Sequence, residues 1–131
     1  MKKTRFLVLI LSVLIVVQGT MLLAGARYSY LQDHGEHFDI SSGGVATVRG
    51  YCEGPSVVER VRIHYKIQKK GLLFWNTVSG GDITDSCYDN ELSTEHGLLL
   101  SETGKYRAVI EYTLYTSNDD EDIEFILTAN Y

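Results

Sequence analysis

Asp33-His34-Gly35-Glu36-His37, with Asp39 beyond it, is the densest group of metal-binding side chains in the chain. His-x-x-His flanked by carboxylates could hold zinc through imidazole nitrogens and an oxygen, so His34, Glu36, His37 and Asp39 are the candidate ligands. A structural zinc site also needs rigid surroundings. The run lies instead in a polar, aromatic leader in which Asp33-His34-Gly35 reads as a turn. A solvated polar loop is the competing expectation. Asn118-Asp119-Asp120-Glu121-Asp122 could offer oxygens to calcium but lacks the spaced pattern that arranges them around one centre. It reads as a hairpin tip whose charge discourages edge pairing. The chain has no Gly-x-Ser-x-Gly, no His-Glu-x-x-His and no phosphate loop. The expectation is therefore a protein that is not an enzyme and carries no cofactor. His64 and His96 read as surface residues.

Two further groups carry chemistry. Cys52 and Cys87 are the only cysteines, and in an oxidising compartment an even count reads as one disulfide. It would close a loop of 36 residues, worth roughly 4 kcal/mol by chain entropy. With no Cys-x-x-Cys, the bridge would be structural. Tyrosine is the other signal, with nine in the chain beside one Trp. Tyr28, Tyr30, Tyr51 and Tyr115 fall on leader or outward-reading positions, and Trp75 is ambiguous. Exposed flat rings suit sugars, cell-wall polymer or a protein partner, since they offer area at low entropy cost. Packing between neighbouring strands is the alternative use.

The amino terminus bounds where this chemistry would take place. Met1-Lys-Lys-Thr-Arg5 is basic, Phe6 to Val17 is almost unbroken apolar sequence, and Ala24-Gly25-Ala26 supplies small residues at a secretory cleavage site. Residues 1–26 thus read as a signal peptide. Residues 6–26 are also long enough for an uncleaved anchor, which would make the chain a single-pass membrane protein. Either way the folded part is exported. Without Lys2, Lys3 and Arg5, nine Lys and Arg face 17 Asp and Glu, and the net charge moves from −5 to −8. That balance excludes a nucleic-acid partner, which needs clustered cations. It also argues against docking on anionic lipid, leaving the amino-terminal segment as the only expected membrane contact.

The rest of the chain must position these groups. Lys105 to Tyr115 alternates, with Tyr106, Ala108, Ile110, Tyr112 and Leu114 on one face, as a half-buried strand does. Val45 to Cys52 alternates likewise, as does Val57 to Gln68, with Val57, Val61, Ile63, Tyr65 and Ile67 inward. Leu72 to Val78 reads as a strand of ambiguous phase, from its consecutive Leu72, Leu73, Phe74 and Trp75. Ser79-Gly80-Gly81 reads as a turn, Asp82 to Glu95 as weakly ordered, Leu98 to Leu100 as a short strand, and Asp122 to Tyr131 as the last strand. Nothing shows helical periodicity with caps. About seven short strands at this spacing imply an all-β, antiparallel two-sheet sandwich. Residues 27–43 would form a leader and edge strand, and residues 44–131 the sandwich.

Gly104-x-Tyr106, at the start of a long strand, resembles the tyrosine corner of immunoglobulin-like domains, where the phenol bonds to upstream backbone. Ala108 stands where such a domain has its second Cys. Gly43-Gly44 through Gly50, Tyr65 through Lys70, Phe74-Trp75 through Val78 and Gly104 through Tyr112 together resemble a family of small exported β-sandwich proteins of Gram-positive bacteria. The resemblance implies an immunoglobulin-like or fibronectin type III-like fold and transfers no site. The expected function is a non-catalytic binding or structural module at the cell envelope. A wall-binding module using Tyr and Trp, or a metal-dependent protein using His34 to Asp39, are the alternatives.

Overall fold

The computed structural model describes residues 28–131, so the amino-terminal apolar run and its cleavage site lie outside the described residues. The described residues form seven strands: β1 (Asp33–Ile40), β2 (Val45–Glu53), β3 (Arg60–Lys70), β4 (Trp75–Cys87), β5 (Glu91–Leu99), β6 (Lys105–Tyr115) and β7 (Asp120–Asn130). All pairing is antiparallel. One sheet runs β1-β2-β5 and the other β4-β3-β6-β7. The protein is a two-sheet β-sandwich.

Burial follows place in the sheet. β2, β3 and β6 have neighbours on both sides, and these are the strands whose sequences alternate most cleanly. Ala46, Val48 and Cys52 from β2, Val61, Ile63, Tyr65 and Ile67 from β3, and Ala108, Ile110, Tyr112 and Leu114 from β6 are completely buried. The edge strands β1, β4, β5 and β7 have mostly half-buried inner positions, with Phe38 of β1 and Ile123 of β7 the buried large side chains among them. An edge strand has one flank open to water and tolerates polar residues on its inner face.

Three buried tyrosines carry hydroxyls that must find partners. Tyr65 reaches across to β5 and meets the Thr94 hydroxyl at 2.7 Å and its carbonyl at 3.1 Å. Tyr112 donates to the Gly35 carbonyl at 3.1 Å and accepts from the Tyr51 N–H at 3.2 Å, tying β6 to β1 and β2. Both phenols lie over Gly50, where a Cβ would come within 2.8 Å of the Tyr65 oxygen and 3.2 Å of the Tyr112 oxygen. Glycine is the residue that leaves them room. Tyr106, 2 % exposed, donates to the Glu102 carbonyl at 2.5 Å.

Several expected elements are corrected. Asp33-His34-Gly35 is strand, paired with Tyr51 to Glu53. Asp82 to Glu95 is ordered as the second half of β4 and the start of β5. Val57 is 52 % exposed and Val58 takes the buried place instead, because β3 begins only at Arg60. Ser79-Gly80-Gly81 does not turn the chain but bulges it. Lys66 pairs with Asp82 and Gln68 with Thr77, so Val78 to Gly81 stand opposite Ile67 alone.

Candidate functional site

The expected metal cluster does not assemble. In a strand, residues three apart point to opposite faces, so pairing β1 with β2 turns His34 and His37 away from each other. His34 keeps to the inner side, 2.8 Å from Glu36 and stacked on Phe125 at 4.6 Å between ring centres. His37 lies on the outer side, 2.7 Å from Asp39. No group of three or more His, Cys, Asp or Glu suited to a metal occurs among the described residues.

The expected bridge is not formed either. Cys52 and Cys87 are free thiols. Cys52 is wholly buried, and burial pushes its thiol up to about 12. Cys87, at the end of β4, donates to the Glu91 carbonyl at 3.2 Å and is raised mainly by desolvation. Neither is a poised nucleophile, which needs a lowered thiol pKa. His96 lies 2.5 Å from Asp85, closing the β4–β5 side of the sandwich, and His64 lies 2.6 Å from Asp82. No Ser, Thr or Cys takes the nucleophile's place in either pair's hydrogen bonds.

The aromatic candidates are dispersed. Tyr28 meets Phe125 edge-on at 6.5 Å, and Tyr30 packs against the core. The Tyr51 hydroxyl donates to Glu53 at 2.5 Å, which raises that phenol to about 12. Tyr115, in the other sheet, lies under the Arg60 guanidinium at 5.0 Å. Trp75 is at the far end of the molecule, beneath Arg107 at 4.6 Å. No shared platform forms among these five.

What the fold does gather is an end. The β1–β2 turn, the β3–β4 hairpin, the β5–β6 connection and the last residue lie at one end of the sandwich, here called apical. The N-terminal segment, the β4–β5 turn and the β6–β7 turn lie at the other, the basal end. Lys70 and Trp75 are the last pair of the β3–β4 ladder, and Gly71-Leu72-Leu73-Phe74 loops beyond them, closed by the Gly71 N–H on the Phe74 carbonyl at 2.8 Å. Nothing lies on either side of a loop past its last rung. Leu72 is 103 %, Leu73 84 % and Phe74 72 % exposed. These residues were expected to lie within a strand, and they are its tip instead.

Beside the tip lies a cleft of about 280 Å³ lined by Lys69, Val78, Ser79, Leu98 to Leu100, Ser101, Glu102 and Tyr106. The β4 bulge forms one wall and the end of β5 another. Leu99 is 74 % exposed, and Val45, its partner across β2 and β5, is 41 % exposed. Lys69 donates to Glu102 across the cleft, which lowers the carboxyl and raises the amine through their hydrogen bond.

Charge is divided as sharply as hydrophobicity. Five of the eight basic residues described (Lys66, Lys69, Lys70, Lys105 and Arg107) fall on the apical half of the four-stranded sheet. The basal end holds Asp33, Glu53, Glu59, Asp89 and Glu91, together with the run Asp119 to Asp122. A net charge of −5 over the whole chain conceals this division. The usable sequence signal was Lys69-Lys70-Gly71 followed by three apolar residues with no alternation: a turn signal with apolar residues inside the turn.

The chain matches no protein-family model and no curated protein. A solved structure of a protein from Archaeoglobus fulgidus is similar over 77 % of this chain and 95 % of that one, at 14 % identity and a TM-score of 0.37. A likeness at that level carries no argument about function.

Proposed function

We propose that the protein is an exported, non-catalytic binding module that engages its target through the apical end of an immunoglobulin-like sandwich. The order β1-β2-β5 against β4-β3-β6-β7, with the fourth strand beside the third, favours the fibronectin type III-like variant of that fold. The observation that carries the functional reading is the exposed Leu72-Leu73-Phe74 tip, near a cleft lined by both apolar and polar side chains. Contiguous exposed apolar surface on a small domain marks an interaction site. The dispersed aromatics favour this tip over a sugar platform, and the divergent histidines weigh against a metal-dependent role. The test is a photo-crosslinking residue placed at Leu73 or, at the basal end, at Ser117, with the chain exposed to the producing cell's envelope fraction. Adducts from position 73 and none from position 117 are expected. Equal labelling from both positions refutes the reading.

A further inference from the structure

We infer that the apical tip is a membrane-insertion element, with Leu72, Leu73 and Phe74 entering the interfacial region of an anionic lipid bilayer and the surrounding lysines resting on its headgroups. This rests on the reading of the apical end as the binding surface and names what it binds. Shape is the first argument. The tip is convex, projecting past Lys70 and Trp75 with all three side chains in solvent. A fluid bilayer accommodates a projecting apolar wedge without a preformed pocket, whereas a protein partner must supply a matching groove.

Charge is the second argument. Lys66, Lys70 and Lys105 make no ion pair among the described residues, and Arg107 lies over the Trp75 ring at the base of the hairpin. Cations behind an apolar tip lie at headgroup depth when the tip is buried, each adding attraction to an anionic surface. An indole suits the same boundary, since it has an apolar body and a polar N–H. The acidic residues of the basal end then face away from the surface, so the uneven charge orients the molecule tip-first.

The direction of the chain adds a constraint. Tyr28 to Leu31 run beside β7 at the basal end, where the Glu121 carboxylate accepts from the N–H groups of Ser29, Tyr30 and Leu31. The tip lies a strand's length away, about 35 Å for 11 residues at the usual rise. An apolar amino-terminal segment held in a membrane would therefore aim the tip away from that same membrane. Bilayer contact by the tip requires a released amino terminus or a second, facing membrane.

Trp75 is the only tryptophan in the chain and reports on the tip without interference from any amino-terminal insertion. Residues 27–131, which carry all seven strands and both sheets without the apolar amino-terminal run, are mixed with vesicles of phosphatidylcholine alone or of phosphatidylcholine with phosphatidylglycerol, each carrying a quencher on the acyl chain near the headgroup. The expected result is a blue shift and quenching of Trp75 in the anionic vesicles. Affinity should fall at least tenfold in Leu72→Ser/Leu73→Ser/Phe74→Ser, and severalfold in Lys66→Gln/Lys70→Gln/Lys105→Gln. The far-ultraviolet spectrum and melting temperature of each variant establish that it folds. A bound chain whose Trp75 is neither shifted nor quenched overturns the inference, as does equal quenching in the triple serine variant. In either case, crosslinking from position 73 to a protein retains the apical binding site and replaces its occupant. Crosslinking to neither lipid nor protein overturns both readings.

Discussion

The two ends of the sandwich use similar materials for opposite purposes. At the basal end polar groups are bonded back onto the protein, and the most exposed apolar residues there, Val57 and Tyr88, stand singly on separate connections. Glu121 receives three backbone N–H groups, the Asn90 amide donates to the Gly54 carbonyl at 2.8 Å, and Arg60 covers both Tyr88 and Tyr115. At the apical end the apolar groups are turned outward. Leu72, Leu73 and Phe74 touch water, and Leu99 and Val45 stand exposed beside the cleft. One end holds the chain together, and the other leaves hydrophobic surface that the fold does not need. On the proposed reading stability and binding are separated along the strands, so each can be altered while the other is measured.

Three substitutions probe that separation, and the largest effect belongs to the interior between the two ends. Gly50→Val would drive side-chain atoms into the Tyr65 and Tyr112 hydroxyls. Overpacking together with displaced hydroxyls should lower stability by about 3 kcal/mol. Thermal melting should show a fall of roughly 15 °C. An unchanged melting temperature would mean that the tyrosines do not tie the sheets together. Glu121→Ala removes the acceptor for residues 29–31 and should lower stability by about 1 kcal/mol. Hydrogen exchange should quicken at those amides and stay unchanged at the apical end. Exchange that spreads to β5 would break the distinction between the ends. Leu72→Ser/Leu73→Ser/Phe74→Ser should move urea stability by no more than about 0.5 kcal/mol, since these side chains are exposed. A larger loss would place the tip in the folding core.

What could be read in advance followed what strand geometry alone enforces. The inner faces of β2 and β6 were legible because a central strand shows a period of two, and each inward position found there is buried. The edges were less legible. Asp82 to Glu95 read as weakly ordered because polar residues on an edge strand satisfy the same ladder as apolar ones. The candidate site was legible only as a puzzle. Consecutive apolar residues at Leu72 to Phe74 were noticed, but alternation cannot say whether a run lies inside a strand or beyond its last rung.

The order of residues by itself determined the all-β character, the alternation of the central strands and the presence of a Gly-x-Tyr corner, because these depend on local backbone geometry. Tertiary structure alone decided which residues meet. Register sent His34 and His37 to opposite faces, left Cys52 and Cys87 as separate thiols, and scattered the tyrosines. It also brought a β4 bulge, the end of β5 and a bare apolar hairpin to one end. The physical reason is distance along the chain. A period of two fixes each side chain's face within its strand, whereas neighbours 30 residues apart are set only when the sheets close on one another.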